Sequence, residues 1–180
     1  MASPPNRSRL NPTIFDKLVA NNEISGMRGA ELDRLDEDRR SLSQFSISRI
    51  EQFNEASLRA TVRRELAWLL NTTNLNAAVD LSAYPHVQSS VLNYGVPDLA
   101  GKSITRRVLL QRAREIRKAI RQFEPRFDEA TLRVDVSERV ERDNAITFVI
   151  NGDIRSAVRA IPVKFRTDVE SDTAAVTVRE

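Results

Sequence analysis

One stretch limits what this chain can fold into more than any other: residues 89–126, SSVLNYGVPDLAGKSITRRVLLQRAREIRKAIRQFEPR, a turn-rich segment leading into one long amphipathic helix. Ile104, Val108, Leu109, Ala113, Ile116, Ile120 and Phe123 recur at spacings that place them on one side of a helix, as a core-facing helix requires. Arg106, Arg107, Arg114, Arg117, Lys118 and Arg121 fall mostly on the other side. Ser103 is suited to accept a bond from a free first-turn amide. Pro125 disfavours helical geometry at Glu124 and lacks an amide donor, so the helix is predicted to stop there. Arg112 projects into the apolar arc. Burying it unpaired is costly, so a carboxylate is expected beside it, with Glu65 as the partner.

A chain of 180 residues can bury a real core without covalent staples. The predicted organisation is an N-terminal arm over 1–47, holding a short helix and a flexible linker, then one domain over 48–180. Cysteine is absent and His86 is the only histidine. This excludes a disulfide framework and a thiolate metal site, and no metal or cofactor is expected. The N-terminus has no apolar leader, and no run approaches the ~18 apolar residues of a membrane span. The expected location is therefore cytoplasmic, with no direct membrane insertion. Charge is dense but nearly balanced, 28 basic residues against 25 acidic. Only Lys17, Lys102, Lys118 and Lys164 are lysine. Arginine forks bond carboxylates in pairs and tolerate partial burial, which suits protein interfaces as well as nucleic acid.

Asn11 before Pro12 predicts the start of a short helix with Ile14, Phe15 and Leu18 as its apolar edge. Residues 20–47 are polar and read as a solvated linker, with an arm that orders on a partner as the alternative. Ser48 with Glu51 fits a capping box opening a helix to about Leu70. Leu58, Val62, Leu66, Leu69 and Leu70 form its inner stripe, with Trp68 nearby. Residues 75–101 are irregular, with Asn93-Tyr94-Gly95 and Pro97-Asp98 as turn formers. Val87, Val91, Leu92, Tyr94, Val96 and Leu99 are expected to pack this long loop internally. Beyond the long helix the apolar period becomes two. Leu132, Val134 and Val136 mark a strand. Residues 141–144 form a turn, and Ile146, Phe148, Ile150, Gly152 and Ile154 share one face. Asn151-Gly152 is also a strong hairpin dipeptide, but the unbroken alternation favours one continuous strand. Val163 and Phe165 begin another strand, Ser171-Asp172-Thr173 turns, and Val176 and Val178 lie in a last one. The predicted class is α+β, with N-terminal helices packed on one face of a small antiparallel sheet formed by the C-terminal third.

Catalysis has weak candidates. Glycoside hydrolysis needs two carboxylates flanking a cleft, and Glu65, Asp98, Glu115 and Glu124 are available. Glu124 stands two residues from Arg126, so a bonded pair clamping the helix end is the better reading. His86 sits alone beside Pro85, and no phosphate-binding glycine loop appears. The basic helix face has no aromatic interleaving and is interrupted by Glu115. It reads as a solvated or protein-facing stripe, and no nucleic-acid partner is expected.

Five segments together carry a resemblance: RLNPTIFDKL from Arg9, RELAWLLNT from Arg64, SVLNYGVPDLAG from Ser90, FEPRF from Phe123, and Phe148 with Ile150 and Gly152. In this order they resemble the TssE family, the baseplate wedge subunit of the type VI secretion system. That family is akin to the lysozyme-like wedge protein of contractile phage baseplates. The sequence departs from the family pattern at Glu65 and Thr73, and the stretch from about 21 to 46 matches no part of it. The resemblance implies a cytoplasmic, non-catalytic subunit that assembles with TssF, TssG and TssK. It also implies contact with contractile sheath subunits and a part in starting sheath polymerisation. On this reading Glu124, Pro125 and Arg126 form a partner-binding corner, and Asn93, Tyr94, Gly95, Pro97, Asp98 and Gly101 form a structural motif. The alternatives are a wedge protein of a phage or phage-like particle, or a peptidoglycan hydrolase.

Overall fold

The structure is a computed structural model and describes residues 10, 12–19, 53–98, 105–137, 145–156, 159–170 and 173–180. The predicted linker over 20–47, the Asn11 cap, the Ser48–Glu51 box, Leu99, Gly101, Ser103, Ile104 and the turn at 141–144 lie outside the described residues. The chain divides into two compact units, Met1–Thr61 and Val62–Glu180.

Helix α1 spans Ile14–Val19. Its cap is Thr13, so Pro12 precedes the helix instead of opening it. Thr13 and Asp16 satisfy each other: the Asp16 amide donates to Thr13 Oγ1 (3.1 Å), while the Thr13 amide and hydroxyl donate to Asp16 Oδ2 (3.0 and 2.8 Å). This is the reciprocal capping pattern with aspartate in the third helical position. Asp16 is fully buried, and Thr61 Oγ1 donates to it at 3.4 Å. Ile14, expected on an apolar edge, is 77% exposed. The face α1 turns inward is the one that carries Asp16.

Helix α2 spans Glu55–Leu70. Phe53 and Asn54 are not helical, so α2 does not run unbroken from Ser48. Asn54 Oδ1 instead accepts from the Ser57 amide (2.9 Å) as an N-cap. The predicted stripe of Leu58, Val62, Leu66, Leu69 and Leu70 is buried, whereas Trp68 is 37% exposed. After α2 the chain makes a 3₁₀ turn at Leu75–Ala77, the one-turn helix α3 at Pro85–Gln88 and a second 3₁₀ turn at Val91–Asn93. The expected internal packing of this loop holds at Val96 but not at Val91 and Leu92, which are 80% and 68% exposed. Among the described residues of the loop, Leu81 is also a buried apolar side chain. Local turns bonded through the backbone fix the loop without calling on those two side chains.

Helix α4 spans Arg106–Phe123, capped by Thr105, whose hydroxyl accepts from the Val108 amide (3.3 Å). The cap therefore falls two residues beyond Ser103. Ala113, Ile116, Ala119 and Ile120 are buried, and α4 lies against β1. Strands β1 (Arg133–Val136), β2 (Ala145–Ile154), β3 (Ile161–Glu170) and β4 (Val176–Arg179) form an antiparallel meander in that order. Strand β2 continues through Asn151-Gly152, as the alternation predicts. Register places Val136, Phe148 and Thr167 in one row, and Val134, Ile150 and Phe165 in the next. Phe148, Ile150, Ile154, Ile161, Val163 and Phe165 are buried on that face, each worth about 1.5–3 kcal/mol of transfer free energy. Gly152 leaves room there: a Cβ would lie 3.1 Å from the Phe127 ring.

Candidate functional site

The corner after α4 is built by its own chemistry. The Glu124 amide still donates to Ile120 O (2.9 Å), and Pro125 then ends the helix. The Phe127 amide donates to Glu124 O (3.2 Å), closing a turn. Beyond it the chain is tied to the end of β2: the Asp128 amide donates to Asp153 O (2.8 Å), and the Arg155 amide donates to Arg126 O (2.7 Å). Phe127 is 3% exposed and bridges Ile154. Both sides of the corner are thereby fixed.

Within this frame the Glu124–Arg126 pair forms. Arg126 Nε donates to Glu124 Oε1 at 2.6 Å, and Arg126 Nη2 donates to Glu124 Oε2 and to Glu65 Oε2. Arg64 Nη2 donates to Glu65 Oε1 at 3.0 Å, and the Arg64 guanidinium stacks over Trp68, 4.9 Å from the ring centre. Glu124 is 4% exposed, Pro125 is exposed, and the Arg126 side chain keeps 19% of its surface. Burial pushes the Glu65 carboxyl above its ordinary range, opposed by Arg126 and reinforced by Glu124. The Tyr94 phenol is pushed up by burial and by the two carboxylates. Its ring meets Phe123 edge-on, with centroids 5.2 Å apart.

All four carboxylate oxygens of Glu65 and Glu124 accept bonds from arginine. A general acid or nucleophile here would first have to shed a guanidinium. A groove of about 270 Å³ lies between the loop and α4, lined among others by Asn93, Gly95, Pro97, Gln122 and Phe123. Glu65, Glu124 and Arg126 are not among its lining residues. Among the described residues, no group of three acidic, histidine or cysteine side chains is placed to hold a metal ion, and no helix is long and apolar enough to cross a membrane.

The segment from Asn93 to Asp98 is a strap. Asn93 Oδ1 accepts from the Asn76 amide (2.9 Å), and its Nδ2 donates to Gln88 O (3.0 Å). Val96 bridges Thr73, its amide donating to Thr72 O (2.9 Å) and its carbonyl accepting from the Asn74 amide (3.0 Å). Gly95 has φ +115°, and a Cβ there would lie 2.2 Å from Thr72 O. Only glycine fits this approach. Asp98 contributes its carbonyl, which accepts from Arg112 Nη2 at 2.6 Å. Arg112 is buried as its projection predicts, but Glu65 is not its partner: Arg112 Nη1 donates to Glu115 Oε2 at 2.8 Å. Glu65 is held by Arg126 and Arg64, and a carboxylate one turn along α4 serves Arg112.

Sequence reasoning missed Asn71. Its side chain pairs with β4 as a strand residue would, donating to Val176 O (2.8 Å) and accepting from the Val176 amide (2.9 Å). It also missed Asp168, 2% exposed and bonded by Thr147 Oγ1 (2.8 Å) and Arg179. An asparagine ending a helix and an acid on a strand give no sequence signal for such pairings.

These features define a small α+β scaffold domain whose charged corner is closed on itself. A family model described as baseplate wedge protein gp25 matches residues 56–158, more than half of the 180-residue chain. The match runs from α2 to beyond β2 and includes the strap and the corner. The chain belongs to this family of structural baseplate proteins, parts of phage-tail-like machinery that assemble with other baseplate subunits. No curated protein matches the chain.

Proposed function

We propose that this protein is the wedge subunit of a type VI secretion baseplate, working in the cytoplasm without catalysis. It assembles with TssF, TssG and TssK and helps the contractile sheath begin to polymerise. The observation that carries this reading is the family match across the strap and the Glu124-Pro125-Arg126 corner. The corner's geometry supports a docking role. Pro125 is exposed, and the Arg126 side chain keeps 19% of its surface while two carboxylates hold it still. A side chain already fixed loses little freedom on binding.

Sheet edges suit the second task. Asn71 occupies the outward amide and carbonyl of Val176. By the two-residue alternation of an antiparallel ladder, the amide and carbonyl of Val178 point outward as well. They offer a short edge to a strand from the sheath. A pull-down of TssF, TssG and TssK by the wild-type chain and by Arg126→Ala tests the reading. We expect the wild type to capture them and the folded variant to lose them. An unfolded variant would make the corner purely internal, and unchanged capture would remove its docking role. Failure of the wild type to capture any of the three would favour the phage-like particle. Muralytic turnover abolished by Glu124→Gln would favour the hydrolase.

A further inference from the structure

The outward face of α4 carries charge that the rest of the described chain does not neutralise. Arg106, Arg107, Arg114, Arg117 and Lys118 are all exposed. None of them makes an ion pair or a side-chain hydrogen bond with a described residue. Arg121, on the same face, differs in being paired with Glu129. Glu115, the one acid within this stretch, is taken by Arg112 and Gln111 (2.8 and 3.1 Å). At 3.6 residues per turn the five cations fall within an arc of about 120° and span roughly 18 Å. The whole chain carries only +3, so this face reflects segregation of charge and not general basicity. The arrangement is self-repelling, because Arg114 has Arg117 and Lys118 on the next turn. Like charges at these spacings destabilise a helix.

Leu110 sits in the middle of this face and is 48% exposed. On the helical projection it is flanked by Arg106, Arg107, Arg114 and Arg117. An apolar centre ringed by charge matches the anatomy of a protein interface, where a buried anchor is surrounded by a polar rim. It gains nothing from phosphates, and the arc holds no aromatic side chain on which a base could stack.

We infer that this face of α4 docks an acidic surface of another protein subunit, with Leu110 buried at its centre. The inference rests on the baseplate reading, since it describes the partner surface in that assembly. The test measures binding of the full chain to purified TssF–TssG, to TssK and to sheath subunits, with a DNA duplex of about 30 bp as the competing probe. The charge-reversed variant Arg114→Glu/Arg117→Glu/Lys118→Glu should keep the wild-type fold, because glutamate is a good helix former at exposed sites. It should lose about tenfold or more in affinity for one of these protein partners. The wild-type complex should weaken as salt rises from about 50 to 300 mM, a readout that does not depend on any variant. Wild-type and reversed chains binding every subunit alike, with affinity insensitive to salt, would overturn the inference and leave the baseplate reading intact. Wild-type binding to none of the subunits would remove both. Loss confined to the DNA duplex would make the face a nucleic-acid site instead.

Discussion

Replacing Arg126 with alanine removes three side-chain bonds at once, two to Glu124 and one to Glu65. Glu124 is 4% exposed and keeps only the amide of residue 126, at 3.3 Å. Breaking a buried pair by deleting one partner costs about 3–5 kcal/mol, because the remaining charge stays desolvated. Arg126 is partly exposed, so we place Arg126→Ala near the low end, about 3 kcal/mol. Against a typical stability of about 5–15 kcal/mol, the variant stays folded at 25 °C. Trp68 is the only tryptophan and joins the cluster through Arg64, so its fluorescence reports on this region during urea unfolding. With a slope of about 2 kcal/mol per molar urea, the midpoint should fall by roughly 1.5 M. The decisive comparison adds Glu124→Gln. In the wild-type background it should destabilise, since it discards a charged pair. In the Arg126→Ala background it should stabilise, since it discards an unpaired buried charge. Equal effects in both backgrounds would show that the two side chains are not coupled and would refute the reasoning.

Gly95→Ala should cost at least about 3 kcal/mol, combining a φ of +115° with a Cβ 2.2 Å from Thr72 O; a thermal midpoint within a degree or two of wild type would contradict it. Asn71→Ala should cost about 1–2 kcal/mol and speed hydrogen exchange at the Val176 amide, which loses its acceptor. The pH response of Glu65 has a definite sign. Its folded carboxyl is held above the ordinary value of 4.5, first by burial. The folded chain therefore binds a proton more readily than the unfolded one. This share of stability is fully present below 4.5 and is lost as pH rises through the folded value. The stability difference between wild type and Glu65→Gln, measured across that window, should move against the wild type as pH increases; a difference moving the other way would contradict the assignment.

What could be read from the sequence was whatever repeats. The stripes of α2 and α4 and the two-residue alternation of β2 follow from burial on one face, and a periodic signal records burial directly. That signal was strong enough to keep β2 continuous through Asn151-Gly152. Helix starts were less legible. Asn11 and Thr13, like Ser103 and Thr105, are pairs of capping types two residues apart, and the period alone does not choose between them. In a one- or two-turn segment apolar character does not name a face: Ile14, Val91 and Leu92 are expected to pack and are exposed. Long-range polar pairing was the least legible. Glu65 meets Arg126 across 61 residues of sequence, and Asn71 meets Val176 across 105. Those contacts are set by how the backbone closes. The neighbouring pair Glu124–Arg126 needed no such closure and was legible.

The two charged regions of α4 differ in one physical respect that bears on both docking proposals. At the helix end, two guanidinium groups meet two carboxylates, so charge is spent inside the chain and holds the corner rigid. Along the outer face five cations have no such counterpart among the described residues. Internal pairing removes long-range attraction and leaves shape. Unpaired charge keeps attraction and mainly raises the rate of encounter. The outer face of α4 should therefore govern how fast and how salt-sensitively a partner arrives, and the corner how slowly it leaves. Charge reversal at Arg114, Arg117 and Lys118 should act chiefly on the association rate, and Arg126→Ala chiefly on dissociation. Kinetics in which Arg126→Ala slows association while the reversed face leaves it untouched would contradict this division of labour.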